Sequence, residues 1–401
     1  MKYFCVYDII ESGICPVLFF VWCIRRDRLK NLKLAAVCLS CLTMTGCSAL
    51  NFSVEGLINA PKLTSEQSEI HQALIESVGS NITLKYPKNG EYRSAYVIAN
   101  IDDEPTDEAM VFYEYTSNGS EEDGLRVNIL DKDEDGKWYS VKELAGAGTD
   151  IDQVIISPMG SNNQTDVFVG YQNLTNDEKT MEIYSYTDGD FKRVALDTYS
   201  VLEPLDINND GYIELITIQR STNNDTGAVT AKASMLNMKN NEITRGENVD
   251  MCDNVTSYVS SKTGMLDSGR RAIFIDGLTA DGKLQTEIIY YRYSGLQNPM
   301  QLRSEKLLPL CTRPAGYYSE DMDGDGDVEI PSTSPMVGYE NAVADEMLYM
   351  TTWSVYEDFY DLKTKYTGYY AISDGYFVTF PKRWNSSVTV KKGSDTNELV
   401  F

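Results

Sequence analysis

The chain has 401 residues, of which 42% are hydrophobic and 11% aromatic, and it carries a formal charge of −25. This composition is typical of a packed globular protein, and the length allows one large or two medium domains. So acidic a surface repels phosphates and argues against nucleic acid as a partner. The only histidine is His71, which excludes two-histidine zinc sites and restricts any Ser-His-Asp triad to that residue.

The N-terminus carries the features of a secretory signal. A basic cluster over residues 25–33 precedes an apolar run over residues 34–42, which ends in Met44-Thr45-Gly46-Cys47. These last four residues resemble a bacterial lipobox, which implies cleavage before Cys47 and acylation of its thiol. We therefore expect an extracytoplasmic protein, lipid-anchored to the outer face of the bacterial cell membrane. An ordinary signal peptide with a fortuitous Gly-Cys is the alternative.

Residues 1–46 are thus the predicted signal peptide. A second apolar run over residues 17–24 is too short to span a bilayer, so we expect the true translation start near the basic cluster. Removing residues 1–46 takes away six basic and three acidic residues and leaves a charge of −28. Two cysteines besides Cys47 remain, Cys252 and Cys311, and we favour leaving them unpaired because two cysteines make no disulfide framework.

One helix is predicted after a lipidated tether over residues 47–63. Thr64 and Gln67 have the spacing of a capping box, and Gly79 can terminate the helix. Its apolar face is formed by Ile70, Leu74 and Val78. We therefore assign residues 64–80 to this helix.

From residue 82 onward, apolar residues alternate in short runs separated by Gly, Asn and Asp clusters. This pattern predicts a mainly β protein with a closed or stacked antiparallel architecture. Five segments share a glutamate followed by an apolar strand, at Glu108, Glu182, Glu214, Glu287 and Glu329. Such repetition predicts a β-propeller-like array of antiparallel blades over residues 82–345. Residues 346–401 are predicted to form a small C-terminal sheet-containing module, whose end within an apolar alternation suggests truncation.

Two nonapeptides carry the sharpest chemical signal. In each, oxygen-bearing side chains occupy the first, third, fifth and ninth positions, and a glycine at the sixth permits a left-handed backbone. The seventh residue can add its carbonyl oxygen, and so many oxygens at one point suit Ca²⁺. The predicted ligands are Asp206, Asn208, Asp210, Tyr212 and Glu214 in one loop, and Asp321, Asp323, Asp325, Asp327 and Glu329 in the other.

Two further acidic segments depart from this pattern. The first offers Asn100, Asp102, Glu104 and Glu108 as weaker candidate ligands. There Pro105 occupies the glycine position, and its fixed negative φ forbids the left-handed turn. The segment from Asp131 to Gly136 lacks the ninth carboxylate, and a hairpin turn explains it better.

An EF-hand is excluded, because its twelfth-position glutamate is replaced by Thr217 and Ser332 and a strand follows the first loop. Short acidic loops leading directly into strands resemble the FG-GAP/VCBS repeats of integrin-like β-propellers, over roughly residues 90–335. The resemblance implies Ca²⁺ held on loops at blade edges, where it stabilises the fold.

These features predict a cell-surface lipoprotein that acts as a calcium-stabilised binding, adhesion or scaffold module without catalytic activity. Its expected partners are the membrane, through the N-terminal lipid, and an unidentified extracellular protein or glycan. The alternative is a carbohydrate-active enzyme or a polysaccharide-binding accessory protein built on a propeller. In a third hypothesis the C-terminal module binds sugar through aromatic residues that could equally pack in a core, namely Tyr376, Phe377, Phe380 and Trp384.

Overall fold

Antiparallel sheet dominates the part of the chain that the computed structural model describes. That part is residues 63–401, except for residues 103, 117–123, 159–164, 175–177, 188–189, 224, 240–241, 344–345, 358–360, 385–386 and 394–398. The predicted signal peptide, Cys47 and the predicted tether up to residue 62 therefore lie outside the described residues. Within these described segments, no helix has both the length and the apolar character needed to cross a bilayer.

Helix α1 spans Ser65–Val78 and confirms the predicted helix. The Thr64 hydroxyl accepts a hydrogen bond from the Gln67 backbone N–H, and the Gln67 side chain accepts one from the Thr64 N–H, both at 3.1 Å. This reciprocal capping satisfies two backbone donors at the helix start. The helix ends at Gly79, whose φ of 86° is unfavourable for residues with a side chain.

Five sheets follow in chain order in the described part of the chain, and in the second, third and fifth of them consecutive strands are hydrogen-bonded neighbours. The first sheet contains β1 (Ile82–Leu84), β2 (Tyr96–Ala99), β3 (Glu108–Tyr115), β4 (Leu125–Lys132) and β5 (Trp138–Ala145). The second contains β6 (Asp150–Pro158), β7 (Thr165–Gln172), β8 (Lys179–Thr187) and β9 (Asp190–Tyr199). The third contains β10 (Val201–Leu205), β11 (Glu214–Thr222), β12 (Val229–Lys239) and β13 (Glu242–Asp250).

The fourth sheet contains β14 (Val255–Met265), β15 (Arg271–Thr279), β16 (Lys283–Arg292), β17 (Gly295–Gln297) and β18 (Thr312–Pro314), with helices α2 (Pro299–Leu302) and α3 (Ser304–Cys311) between its last two strands. The fifth contains β19 (Ile330–Pro335), β20 (Tyr349–Glu357), β21 (Asp361–Ala371) and β22 (Tyr376–Thr379). A 3₁₀ turn at Lys382–Trp384 and a hairpin of β23 (Lys391–Lys392) and β24 (Leu399–Val400) complete the described elements. The mainly β prediction is confirmed.

Hydrophobic clusters connect each sheet to the next one along the chain. Phe112 of the first sheet shares a cluster with Tyr171 of the second, and further clusters join the second to the third, the third to the fourth and the fourth to the fifth. Helix α1 covers the first sheet through the fully buried Ile70 and Leu74. Residues after β22, including Val390, pack on the fifth sheet. Both terminal sheets are thus covered by short segments of the same chain.

The C-terminal residues continue the fifth sheet. Strand β19 pairs with β20, so one sheet crosses residue 345, where the sequence places a domain boundary. Of the four aromatic residues considered for sugar binding, Phe380 is buried in a cluster with Trp384 packed against it, and Phe377 contacts Trp353. These three aromatic residues pack with other apolar side chains. Tyr376 is 40% exposed.

The five glutamates that suggested a repeat fall into two structural groups. Glu108 and Glu214 begin β3 and β11, and Glu329 immediately precedes β19, so each of these follows an acidic loop. Glu182 and Glu287 instead lie inside β8 and β16, the third strands of their sheets. All five are buried, with 3% exposure or less. Three of the five segments are therefore equivalent loop-to-strand units.

Candidate functional site

A polar cavity of about 390 Å³ lies where the first strands of the second, third and fourth sheets, β6, β10 and β14, come together. Most of its wall consists of side chains that donate or accept hydrogen bonds. The polar members are Asn89, Asp152, Gln153, Lys179, Ser200, Glu203, Tyr258, Ser260, Ser261 and Lys262. These residues come from the second, third and fourth sheets and, in the case of Asn89, from the β1–β2 connection of the first, so the cavity exists only in the folded chain.

Asp152 is the best-supported carboxylate in this cavity. Its side chain is only 2% exposed, and Lys179 Nζ lies 2.9 Å from each of its oxygens. The Tyr199 hydroxyl donates to Asp152 at 2.7 Å and the Asn89 amide at 2.8 Å. Burial alone would raise the pKa of Asp152, but Lys179 and these donors outweigh it and lower the pKa. Asp152 is therefore held ionised.

Glu203 lines the same cavity, but its pKa is shifted in the direction opposite to that of Asp152. Burial raises the pKa of its carboxyl, against the hydrogen bond that Ser261 donates, and the negative charge of Asp152 raises it further. Two carboxyl groups with pKa values pushed apart in one cavity can divide acid and base roles. The cavity therefore holds two carboxyl groups whose pKa shifts have opposite signs.

A second cavity of about 300 Å³ adjoins the first, and Lys179, Ser200 and Tyr258 line both. It adds Arg220, whose Nε donates to the Val255 carbonyl oxygen at 3.1 Å. The two cavities therefore share part of their polar lining.

The two acidic loops share one backbone structure. In both, the sixth-position glycine has φ 93° and donates to the first-position carboxylate, from Gly211 to Asp206 at 3.2 Å and from Gly326 to Asp321 at 3.0 Å. The left-handed glycine expected from the sequence is thus present in both loops.

The ninth-position glutamate closes each loop in the same way. One oxygen of Glu214 accepts the Ile207 N–H at 3.2 Å, and one oxygen of Glu329 accepts the Met322 N–H at 2.8 Å. Strands follow both loops, as expected from the exclusion of an EF-hand. The acidic nonapeptide is therefore a defined structural unit that occurs twice.

The other oxygen of each glutamate faces a nitrogen. In the loop of residues 206–214, the Asn208 amide lies 2.9 Å from Glu214 Oε1 and 3.0 Å from Asp210 Oδ2. In the loop of residues 321–329, Lys365 Nζ lies 2.6 Å from Glu329 Oε1. In the latter loop, ligand oxygens of Asp321, Asp323 and Asp325 lie within 4.8 Å of one another. The loop of residues 321–329 therefore directs several carboxylate oxygens at one point.

The weaker candidate loop keeps part of this structure. Ile101 N–H donates to Glu108 Oε2 at 2.9 Å, and Glu104 N–H donates to Asp102 at 2.8 Å. The Asn100 amide turns to backbone carbonyls of the loop. Glu108 Oε1 is buried without a hydrogen-bond partner among the described residues. The Asp131 segment forms the turn between β4 and β5, as predicted.

The sequence did not indicate the cavity residues. Glu203 is the one charged residue of the short apolar strand β10, where a charged side chain is unusual, whereas Asp152 shares β6 with Asp150 and Gln153. That signal was available, but it does not show that the two residues share a cavity. Cys252 and Cys311 are both free and buried, in agreement with the preference against a disulfide.

No family model matches the chain, and no curated protein matches it. Among solved structures, it is similar to the periplasmic gluconolactonase of Pseudomonas aeruginosa, with 9% identity, a TM-score of 0.31 and coverage of 75% of this chain and 88% of the other. A Bacteroides fragilis protein assigned as a 6-phosphogluconolactonase has 10% identity and a TM-score of 0.31, with coverage of 75% of this chain and 93% of the other. A glycoside hydrolase has 8% identity and a TM-score of 0.27, with coverage of 76% of this chain and 94% of the other.

These comparisons contradict the prediction of a non-enzymatic protein, because the solved structures to which the chain is similar are named for enzymes. The scores are too low to transfer any of those activities to this chain. The sequence did not reveal the pair of carboxyl groups, Glu203 and Asp152, that line the cavity.

Proposed function

We propose that this protein acts on carbohydrate, with a saccharide bound in the cavity between β6, β10 and β14. Hydroxyl, amide and charged side chains line the cavity closely, and sugar hydroxyls can both donate to and accept from such groups. The observation that carries the proposal is the pair of carboxyl groups at one cavity, with Glu203 shifted toward the protonated form and Asp152 toward the ionised form.

In the proposed hydrolysis Glu203 donates its proton to the glycosidic oxygen, which leaves as a hydroxyl group when its bond to the anomeric carbon breaks. A water molecule adds to that carbon and releases a proton, so that Glu203 is protonated again from solvent. Ser261 fixes the carboxyl through its hydroxyl, and burial keeps the proton bound above the usual pH range of a glutamate. Asp152 and Lys179 form a neutral pair beside it and position the polar wall. General-acid catalysis of this kind contributes about 10² to 10⁴-fold to a rate.

The test is a screen of oligosaccharides and polysaccharides for binding by calorimetry and for release of reducing sugar. For a substrate found in this way, we expect Glu203→Gln to retain binding and to lose at least about 100-fold in kcat. The matched control is Glu305→Gln, because Glu305 is exposed on α3 and away from the cavity lining.

The pH dependence gives a second readout. A general acid must be protonated, so kcat should fall as pH rises through the raised pKa of Glu203. Absence of binding to every saccharide would refute the proposal. Binding without released sugar, or full activity of Glu203→Gln, would refute the catalytic role.

We also propose that the loop of residues 206–214 holds Ca²⁺ as a structural ion. Asp206, Asp210 and Glu214 provide carboxylate oxygens, which Ca²⁺ prefers. Asn208 adds its carboxamide oxygen when its amide, whose NH₂ group donates to Asp210 and Glu214, turns over. The Asn208 amide bridges two of these carboxylates, which supports a position suited to positive charge. The resemblance to FG-GAP/VCBS repeats stays a prediction.

Calcium at this loop is tested by the melting temperature in chelator and in excess CaCl₂, for the wild type and for Asp210→Asn. We expect chelation to lower the wild-type melting temperature by several degrees and to affect Asp210→Asn less, because that variant lacks a ligand charge. Equal melting temperatures of the wild type with and without calcium would refute the calcium proposal.

We further propose that Cys47 is acylated and anchors the chain outside the cell, where saccharides are accessible. Support comes from the lipobox-like residues 44–47. Metabolic labelling with a palmitate analogue should mark the wild type and leave Cys47→Ser unlabelled. Equal labelling of both would refute the anchor.

A further inference from the structure

Lys365 places its ammonium group among the carboxylates of the loop of residues 321–329. Its Nζ lies 3.0 Å from Asp323 Oδ2, 2.7 Å from Asp325 Oδ2 and 2.6 Å from Glu329 Oε1. The lysine side chain is 18% exposed, and the Glu329 side chain is completely buried. An ammonium group donates three hydrogen bonds, and here three different carboxylates lie within reach of it.

The fold directs Lys365 to this position through an irregularity in the fifth sheet. Across β20 and β21, Trp353 pairs with Tyr366 and Ser354 pairs with Thr364, so Lys365 has no residue opposite it. A bulge of this kind re-aims a side chain. The neighbouring Tyr366 hydroxyl donates to Asp323 and secures the same loop.

The loop of residues 206–214 provides the comparison. It has the same glycine geometry and the same glutamate closure, yet the nitrogen at its centre is the neutral amide of its own Asn208. Among the described residues, Arg271 pairs with this loop at its first position, where its Nη1 lies 3.2 Å from Asp206 Oδ2. Equivalent loops therefore differ in whether a charged group from another strand occupies the centre.

We propose that Lys365 is a tethered cation that holds the loop of residues 321–329 in its folded form without a metal ion. The ammonium contacts the third, fifth and ninth positions, which are the positions that would otherwise direct oxygens at a dication. Two positive charges cannot share that centre, so a divalent ion binds here only if Lys365 leaves. This inference does not depend on calcium binding at the other loop.

The test compares Lys365→Met with the wild type as the full chain, by melting temperature in chelator. We expect Lys365→Met to melt several degrees lower, because three carboxylates then repel one another without a counter-charge. The matched control is Lys363→Met on the same strand, whose Nζ is paired with Asp267 at 3.2 Å and is largely exposed. That control should melt close to the wild type.

Excess CaCl₂ supplies the second readout. It should restore more of the melting temperature of Lys365→Met than it adds to the wild type, because removing the lysine frees the loop centre. Lys365→Arg keeps the positive charge and replaces Lys365→Met in the test if Lys365→Met does not fold. Its melting temperature should be higher than that of any neutral variant at this position that folds, and CaCl₂ should raise it little.

Equal melting of Lys365→Met and Lys363→Met in chelator would overturn the proposal. A second outcome would also overturn it: chelation lowers the melting temperature of the wild type and of Asp210→Asn but not that of Asp325→Asn. A metal ion would then be holding the loop of residues 321–329. A wild type insensitive to chelation, with Lys365→Met destabilised, would refute calcium at residues 206–214 and support the tethered cation.

Discussion

The buried ion pair of Arg313 and Asp276 is held by several further partners. Its side chain is 0% exposed and that of Asp276 is 1% exposed, with 2.8 Å between the charged groups. The guanidinium also donates to the carbonyl oxygens of Tyr317 at 2.6 Å and Cys311 at 2.9 Å. Asp276 accepts the backbone N–H of Ser319 at 2.7 Å. This network ties β15 to the segment that leads into the fifth sheet.

Removing one partner should therefore destabilise the fold strongly. We expect Arg313→Met to lower the free energy of unfolding by about 3–5 kcal/mol, because Asp276 then stays buried without its counter-charge. The control is Lys306→Met, which removes an exposed ion pair with Asp361 and should lower the free energy of unfolding much less. Urea denaturation measures both. Similar losses for the two variants would contradict the role given to burial.

At the scale of elements, local signals were enough for α1 and for the acidic loops. The Thr64 capping box, the terminating Gly79 and the left-handed Gly211 and Gly326 are each fixed by residues within one turn of chain. Helices α2 and α3 were missed, although Asn298 caps α2 and proline follows directly, which is a recognised start signal.

The cavity could not be predicted in this way. Asp152 and Glu203 are far apart in the chain, and their proximity depends on how the second and third sheets pack. Lys365 is a similar case, because neither its strand nor the bulge that directs it is evident from alternation alone. Local spacing identified the loops, whereas the groups that meet them come from tertiary structure.

Helix α1 provides a test of how much its packing stabilises the first sheet. Leu74 is fully buried between the helix and the first sheet, so Leu74→Ala should lower the free energy of unfolding by about 2–5 kcal/mol. Leu174→Ala makes the same chemical change at a side chain 84% exposed and should change stability by about 0.5 kcal/mol or less. Chemical denaturation compares them. A loss of under about 1 kcal/mol for Leu74→Ala would show that the helix does not stabilise the first sheet.

At the scale of the whole molecule, burial raises the pKa of several carboxyl groups and so reduces the negative charge of the folded chain. Burial raises the pKa of Glu108 and of Glu214 to about 7, and that of Asp166 to about 6. Burial also raises the pKa of Glu287 and Glu329. The folded chain therefore binds protons that the unfolded chain, with ordinary carboxyl pKa values, releases.

This excess of bound protons fixes the sign of the pH dependence. Because the folded state holds more protons than the unfolded state between about pH 4.5 and 7, stability should fall as pH rises through that window when calcium is chelated.

Melting temperatures at pH 5, 6, 7 and 8 in chelator and high salt measure this pH dependence, with salt screening the general repulsion. Glu214→Gln should flatten the profile, since its amide does not titrate. Stabilisation by added calcium should instead grow with pH, because its carboxylate ligands must be deprotonated. A melting temperature that rises from pH 5 to pH 8 in chelator, or a Glu214→Gln profile as steep as that of the wild type, would contradict this account of the buried glutamates.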